Sequence, residues 1–80
     1  MNTTTTQMAD VMIHVDESTS HADREALRSE LLARDGVMAA DYHDDKPHLI
    51  LVLYDPDEVS SKQLLEVPAA RGLHAQLVGL

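Results

Sequence analysis

The stretch HLILVLY, from His48 to Tyr54, is apolar at every position between Leu49 and Leu53 and lies between two turn-forming runs, DDKP and DPDE. A short apolar run bounded in this way is a strand buried on both faces, and so central in its sheet. It needs a neighbour on each side, and the rest of the chain supplies candidates. DVMIHVD alternates Val11, Ile13 and Val15 against Met12, His14 and Asp16, the period-two pattern of a half-buried strand. VMAADYH after Gly36 and LHAQLVGL after Gly72 complete a set of four. From Ser20 the spacing becomes helical: Leu27 and Leu31 stand four apart, with Arg24, Glu25, Arg28 and Glu30 assigned to the wet side. Gly36 in RDG is expected to close that helix in the left-handed conformation. VSSKQLLEV is a second helix with Val59, Leu64 and Leu65 inward, and Pro68, which lacks an amide donor, is expected to break or kink it.

The order β-α-β-β-α-β predicts an α+β, ferredoxin-like fold: a four-stranded antiparallel sheet of order 4-1-3-2 with both helices on one face. Residues 1–9, polar and Thr-rich, are expected to be disordered, and residues 10–80 to form a single domain. Eighty residues leave no room for a second one. The core of so short a chain is small. With Phe and Trp absent it must be aliphatic, and periodicity assigns Val11, Ile13, Val15, Leu27, Leu31, Val52 and Leu64 to it.

Composition then removes whole classes of function. There is no cysteine, so disulfides, thiolate metal sites and cysteine nucleophiles are excluded. A net charge of -8 without any Lys/Arg cluster argues against nucleic acid as a partner. MNTTTTQ has neither the basic start nor the apolar core of a signal peptide. The run LILVLY is far too short to span a bilayer, so no membrane association and a cytoplasmic location are expected. No nucleophile–base pair, glycine-rich phosphate loop or paired buried carboxylates stand out, and an enzyme is not expected. Ser20 and His21 are adjacent on a helix start and point different ways, so they make no dyad.

The joint between the first strand and first helix, STSHAD, has a local explanation. Ser20 is an N-cap and Asp23, three residues on, completes a capping box at the positive end of the helix. The histidines add a second possibility. His14, His21, His43, His48 and His74 all map to one end of this topology, beside Asp16, Asp44 and Asp45. Imidazole and carboxylate are ligands for Zn²⁺, Ni²⁺, Co²⁺ or Cu²⁺. His43 and His74 belong to the outer strands, roughly 14 Å apart at the usual strand spacing. Only subsets can therefore share an ion: His21 with His74 and Asp16, or His43 with His48 across the hairpin.

Three segments, LLARDGV, VLYDPDEVSSKQLLEV and ARGLHAQLV, resemble the heavy-metal-associated domains of copper chaperones and metal-transporting ATPases, and the resemblance extends from Asp10 to Leu80. It implies metal-ion binding or trafficking, with ligands in a Met-x-Cys-x-x-Cys loop after the first strand. Counting back from Gly36 by the family's spacing puts STSHAD on that loop, with Ser20 and Asp23 where the cysteines belong. Because neither is a thiolate, the expected site uses His21 and His74 helped by Asp16 or Asp23, the expected ion is divalent, and Cu(I) is set aside. The alternative is a metal-free protein-interaction or dimerisation module. The helices cover one sheet face only, so side chains of the third strand, with Met12 and Met38, would leave an apolar patch for a homodimer or a partner protein.

Overall fold

The computed structural model describes residues 7–78, so the expectation of disorder over residues 1–9 falls mostly outside the described residues. Its elements are β1 (Ala9–Val15), α1 (His21–Leu32), β2 (Val37–Tyr42), β3 (Leu49–Tyr54), α2 (Ser61–Ala70) and β4 (Ala75–Val78). The strands form one antiparallel sheet in the order β2-β3-β1-β4, the expected arrangement read from its other edge. The continuous apolar run becomes β3, held between β2 and β1.

Alternation decides which side chains face the helices. Val11, Ile13 and Val15 of β1 lie opposite or beside Val52 and Ile50 of β3, and all five are buried. Leu27 and Leu31 of α1 and Leu64 and Val67 of α2 close over them in one core. Every residue assigned to the core from periodicity is buried. Full burial of one such Leu or Ile contributes about 1.5–3 kcal/mol. Each helix starts with a complete capping box, Ser20 with Asp23 and Ser60 with Gln63. α2 begins two residues later than the VSS pattern suggested. Val59 stands just before its cap and Leu64 four positions into it, the spacing of a hydrophobic staple, and both belong to the core.

The structure corrects three local expectations. Arg24 is buried at 6 % exposure rather than placed on the wet side. It shares the stripe of Leu27 and Leu31, three and seven residues on. Gly36 does not itself close α1, which ends at Leu32 with Ala33 as its cap. Gly36 instead turns the chain into β2 at φ +92°, where an added Cβ would come within 2.8 Å of Glu58 Cβ and 2.9 Å of Val59 Cγ1. α2 runs through Pro68 to Ala70. The Pro68 carbonyl accepts from the amides of Arg71 and Leu73 at 3.0 and 3.1 Å, so the helix ends in hydrogen bonds of its own.

Candidate functional site

At the end of the sheet where β1 leaves for α1, the chain gathers its histidines. The Val15 amide donates to the His48 carbonyl and the Asp16 amide to the His74 carbonyl, both at 2.8 Å. These bonds join the exit of β1 to the start of β3 on one side and of β4 on the other. The turn between β2 and β3 folds over the start of α1. Arg24 is what holds it there. Its guanidinium donates to the Thr19 carbonyl at 2.5 Å, to Thr19 Oγ1 at 3.1 Å, and to Asp44 Oδ1 from Nη2 at 3.0 Å and Nε at 3.2 Å. Thr19 Oγ1 in turn donates to the Pro47 carbonyl at 3.2 Å. His21 Nδ1 meets the same Asp44 carboxylate at 2.9 and 3.0 Å. Hydrogen bonds from His21 and then Arg24 hold the Asp44 carboxyl below its usual range.

A second pairing lies across β1. The Glu17 carboxylate accepts from the His74 backbone amide at 2.8 Å and from His74 Nδ1 at 2.5 Å. That contact lowers the Glu17 pKa and raises the His74 pKa, with Asp16 adding to the rise. Asp16 Oδ1 stands 3.3 Å from His14 Nδ1, a buried atom that makes no aligned hydrogen bond. The His14 and His48 rings stack at 5.5 Å with 14° between their planes, and His48 Nδ1 donates to the Val15 carbonyl at 2.7 Å.

The four residues expected to form a metal site are therefore distributed. Asp23 is engaged in the cap, accepting from the Ser20 amide at 3.1 Å, and that bond lowers its pKa. His21 turns to Asp44, and His74 to Glu17. Asp16 is brought to His14 by its side chain and to His74 by its backbone. Among the described residues, no three His, Cys, Asp or Glu side chains are placed together to hold one ion. The sequence reading missed Arg24, Glu17 and the His14–His48 stack. The stripe of 24, 27 and 31 was a usable signal for the first. The other two depend on which strands adjoin, and no local pattern encodes them.

The sheet face opposite the helices is open. A hollow there is lined by Met12, Asp41, His43, Lys46, Leu49 and Leu51. The register aligns Asp41, Leu51, Met12 and Val78 in one row across the four strands.

No protein-family model and no curated protein matches the chain. Solved structures do. Oxidized MerP from Ralstonia metallidurans CH34 superposes with a TM-score of 0.81 at 18 % identity, over 91 % of this chain and 100 % of that one. The N-terminal domain of a potential copper-translocating P-type ATPase from Bacillus subtilis, in its Cu(I)-loaded state, gives 0.81 at 22 % identity, over 91 % and 90 %. A copper binding domain from HMA7, a P-type ATPase, gives 0.79 at 20 % identity, over 88 % and 93 %. These likenesses overturn the exclusion of Cu(I), because one of the matching domains is a Cu(I)-loaded one. The physical reason is that absence of cysteine removes thiolate alone, whereas thioether and imidazole also suit copper. Over nearly its whole described length, the chain has the ferredoxin-like fold of heavy-metal-associated domains, without a cysteine pair.

Proposed function

We propose that this chain is a small cytoplasmic metal-handling domain that contacts a transition-metal ion through imidazole and carboxylate groups at the exit of β1. The candidate ligands are His74, Asp16, His21 and Asp23, of which Asp16 pairs through its backbone amide with the His74 carbonyl. One observation carries the reading. His21, His48 and His74 each engage Nδ1 with a carboxylate or a backbone carbonyl, and His14 Nδ1 faces the Asp16 carboxylate. Carboxylates and carbonyls only accept, so in His21, His48 and His74 Nδ1 carries the proton and the neutral ring keeps its lone pair on Nε2. Metal-binding histidines are oriented by the same kind of second contact. No three ligand side chains are grouped among the described residues, so holding an ion through these Nε2 atoms calls for movement of the segments that carry them or for a ligand from a partner protein, which suits a carrier better than a permanent site. Protons compete for the same nitrogens, so affinity should weaken below about pH 6.5. The raised His74 pKa moves that competition upward for His74.

The test is a titration of the metal-free protein with Cu(I) under reductant, and separately with Cu²⁺, Zn²⁺, Ni²⁺ and Co²⁺, followed by amide NMR. The expected result is saturable shifts over residues 16–24 and 72–75, weakened at least tenfold by His74→Ala or His21→Ala. Absence of saturable binding by any of these ions at micromolar levels would remove the reading.

A second reading, a metal-free interaction module, is favoured by the open sheet face. Leu51 and Val78 stand there 41 % and 39 % exposed, in one row with Met12. A homodimer or a partner protein covering that row would bury them.

A further inference from the structure

The charges of this chain are sorted by layer. Its six cations are Arg24, Arg28, Arg34, Lys46, Lys62 and Arg71. All four arginines are bound to carboxylates, Asp44, Glu25, Glu66 and Glu30 respectively. Arg24 and Arg28 belong to α1, Lys62 to α2, and Arg34 and Arg71 to the segments just after the two helices. Of the six, Lys46 is the one that lines the hollow on the open sheet face, where it stands with Asp41 and His43. On the face itself alternation places Asp10, next to buried Val11, and Asp41, next to buried Ala40. The four arginines on and beside the helices are thus matched by carboxylates, and the open face combines an apolar row with carboxylates. Asp41 ends the row Asp41–Leu51–Met12–Val78, and Asp10 sits one step along β1, opposite Leu53.

From this sorting we infer that the open face docks a partner protein whose contact segment presents an apolar side chain flanked by Lys or Arg. The apolar side chain enters the hollow beside Met12, Leu49 and Leu51, and the flanking cations meet Asp41 and Asp10. This rests on the interaction reading of the open face and adds the chemistry of its occupant. A second copy of the chain is a poor fit. Two molecules each carrying -8 repel as wholes, and stacking the two faces would bring Asp10 and Asp41 of one copy against an identical apolar-acidic surface. Like charges facing one another across an interface exclude a partner as effectively as a clash does. A cationic partner turns the same carboxylates into attraction and gains a faster, salt-sensitive approach.

The experiment uses two synthetic peptides, one with a central leucine pair flanked by lysines and arginines, the other with glutamates in the flanking positions. Each is titrated into the full chain, without metal, by amide NMR at low and at high salt. The cationic peptide is expected to shift the amides of Met12, Asp41 and Leu51 saturably, at least tenfold more weakly in high salt. The anionic peptide should leave them unmoved. Asp41→Asn should weaken the cationic peptide several-fold and Leu51→Ser at least tenfold, with folding of both variants checked by circular dichroism. Both changes lie on the exposed face, and Asp41→Asn keeps the side-chain shape. Shifts confined to the acidic helix residues, or no shifts at all, would overturn the inference. Equal binding of both peptides to this face would leave the interaction reading standing and remove the cationic partner. Sedimentation as a dimer dispersed by Leu51→Ser would replace that partner with a second copy.

Discussion

The Arg24 guanidinium, 7 % exposed, lies 3.0 Å from an Asp44 carboxylate that is 56 % exposed. One end of the pair is dry and the other wet. The dry end joins α1 to the β1–α1 connection through Thr19, and the wet end brings down the β2–β3 turn. Removing Asp44 leaves Arg24 with Thr19 as its remaining acceptor, and solvent around Asp44 moderates the loss. Asp44→Ala is expected to lower the urea midpoint modestly, because solvent screens the exposed end of the pair. In an Arg24→Met background, where no buried charge needs a partner, the same change should cost less, since only the exposed His21 contact is then lost. Urea unfolding of the four proteins forms a double-mutant cycle. Equal costs in both backgrounds would show that the pair is not coupled.

The two glycines with positive φ make a matched comparison. Gly36, at φ +92°, has Glu58 and Val59 within 3 Å of any added Cβ, whereas Gly72, at φ +77°, has nothing within 4 Å. Gly72→Ala should therefore show the backbone strain alone, about 1 kcal/mol. Gly36→Ala adds a collision with the segment that leads into α2, and should cost about 2–4 kcal/mol. Thermal denaturation of the two variants side by side gives the difference, and a Gly36 variant as stable as the Gly72 one would contradict the packing described here.

Ser20 and Ser60 occupy equivalent capping boxes, so their replacement by alanine should have similar effects of about 1 kcal/mol each. Equality matters because Ser20 falls on the segment that spacing from Gly36 aligns with the family's metal loop, and Ser60 does not. A much larger loss of stability for Ser20→Ala, measured without metal by urea midpoint, would mean that Ser20 supports more than a helix start.

The His74–Glu17 pair predicts a pH dependence with a definite sign. The His74 pKa is raised from 6.5, so its stabilisation is complete below 6.5 and disappears as pH rises through the raised value. The Glu17 pKa is lowered from 4.5, so its stabilisation is present above 4.5 and disappears as pH falls through the lowered value. Both are therefore fully expressed between about pH 4.5 and 6.5. Glu17→Gln should lower the urea midpoint at pH 5.5 and leave it nearly unchanged at pH 9. An equal drop at both pH values would assign the contact a packing role rather than an electrostatic one.

Periodicity carried most of the fold, because β3 had to be central once five consecutive apolar residues were flanked by turns, and because 27 and 31 could face only one way. The strand order followed from the element order β-α-β-β-α-β and needed no side-chain detail. The site was less legible. Imidazole partners come from long-range adjacency: Glu17 and His74 are 57 residues apart, and His21 and Asp44 are 23 apart. Arg24 was assigned to solvent because charge outweighed position, although its place on the Leu27–Leu31 stripe pointed inward. Thr19 and Asp44 make that inward place tolerable, and neither is recognisable as its partner before the turn is folded.

The irregularity in β2 has a consequence for assembly. Between Val37 and Ala39 the pairing with β3 slips, leaving Met38 62 % exposed at the edge of the sheet. A bulge twists an edge strand away from the flat ladder that a neighbouring strand would need. The opposite edge, β4, spans four of the described residues, a short template for extended pairing. Among the described residues both edges are thus blunted, which disfavours growth of the sheet by strand addition and favours contacts through side chains on its open face.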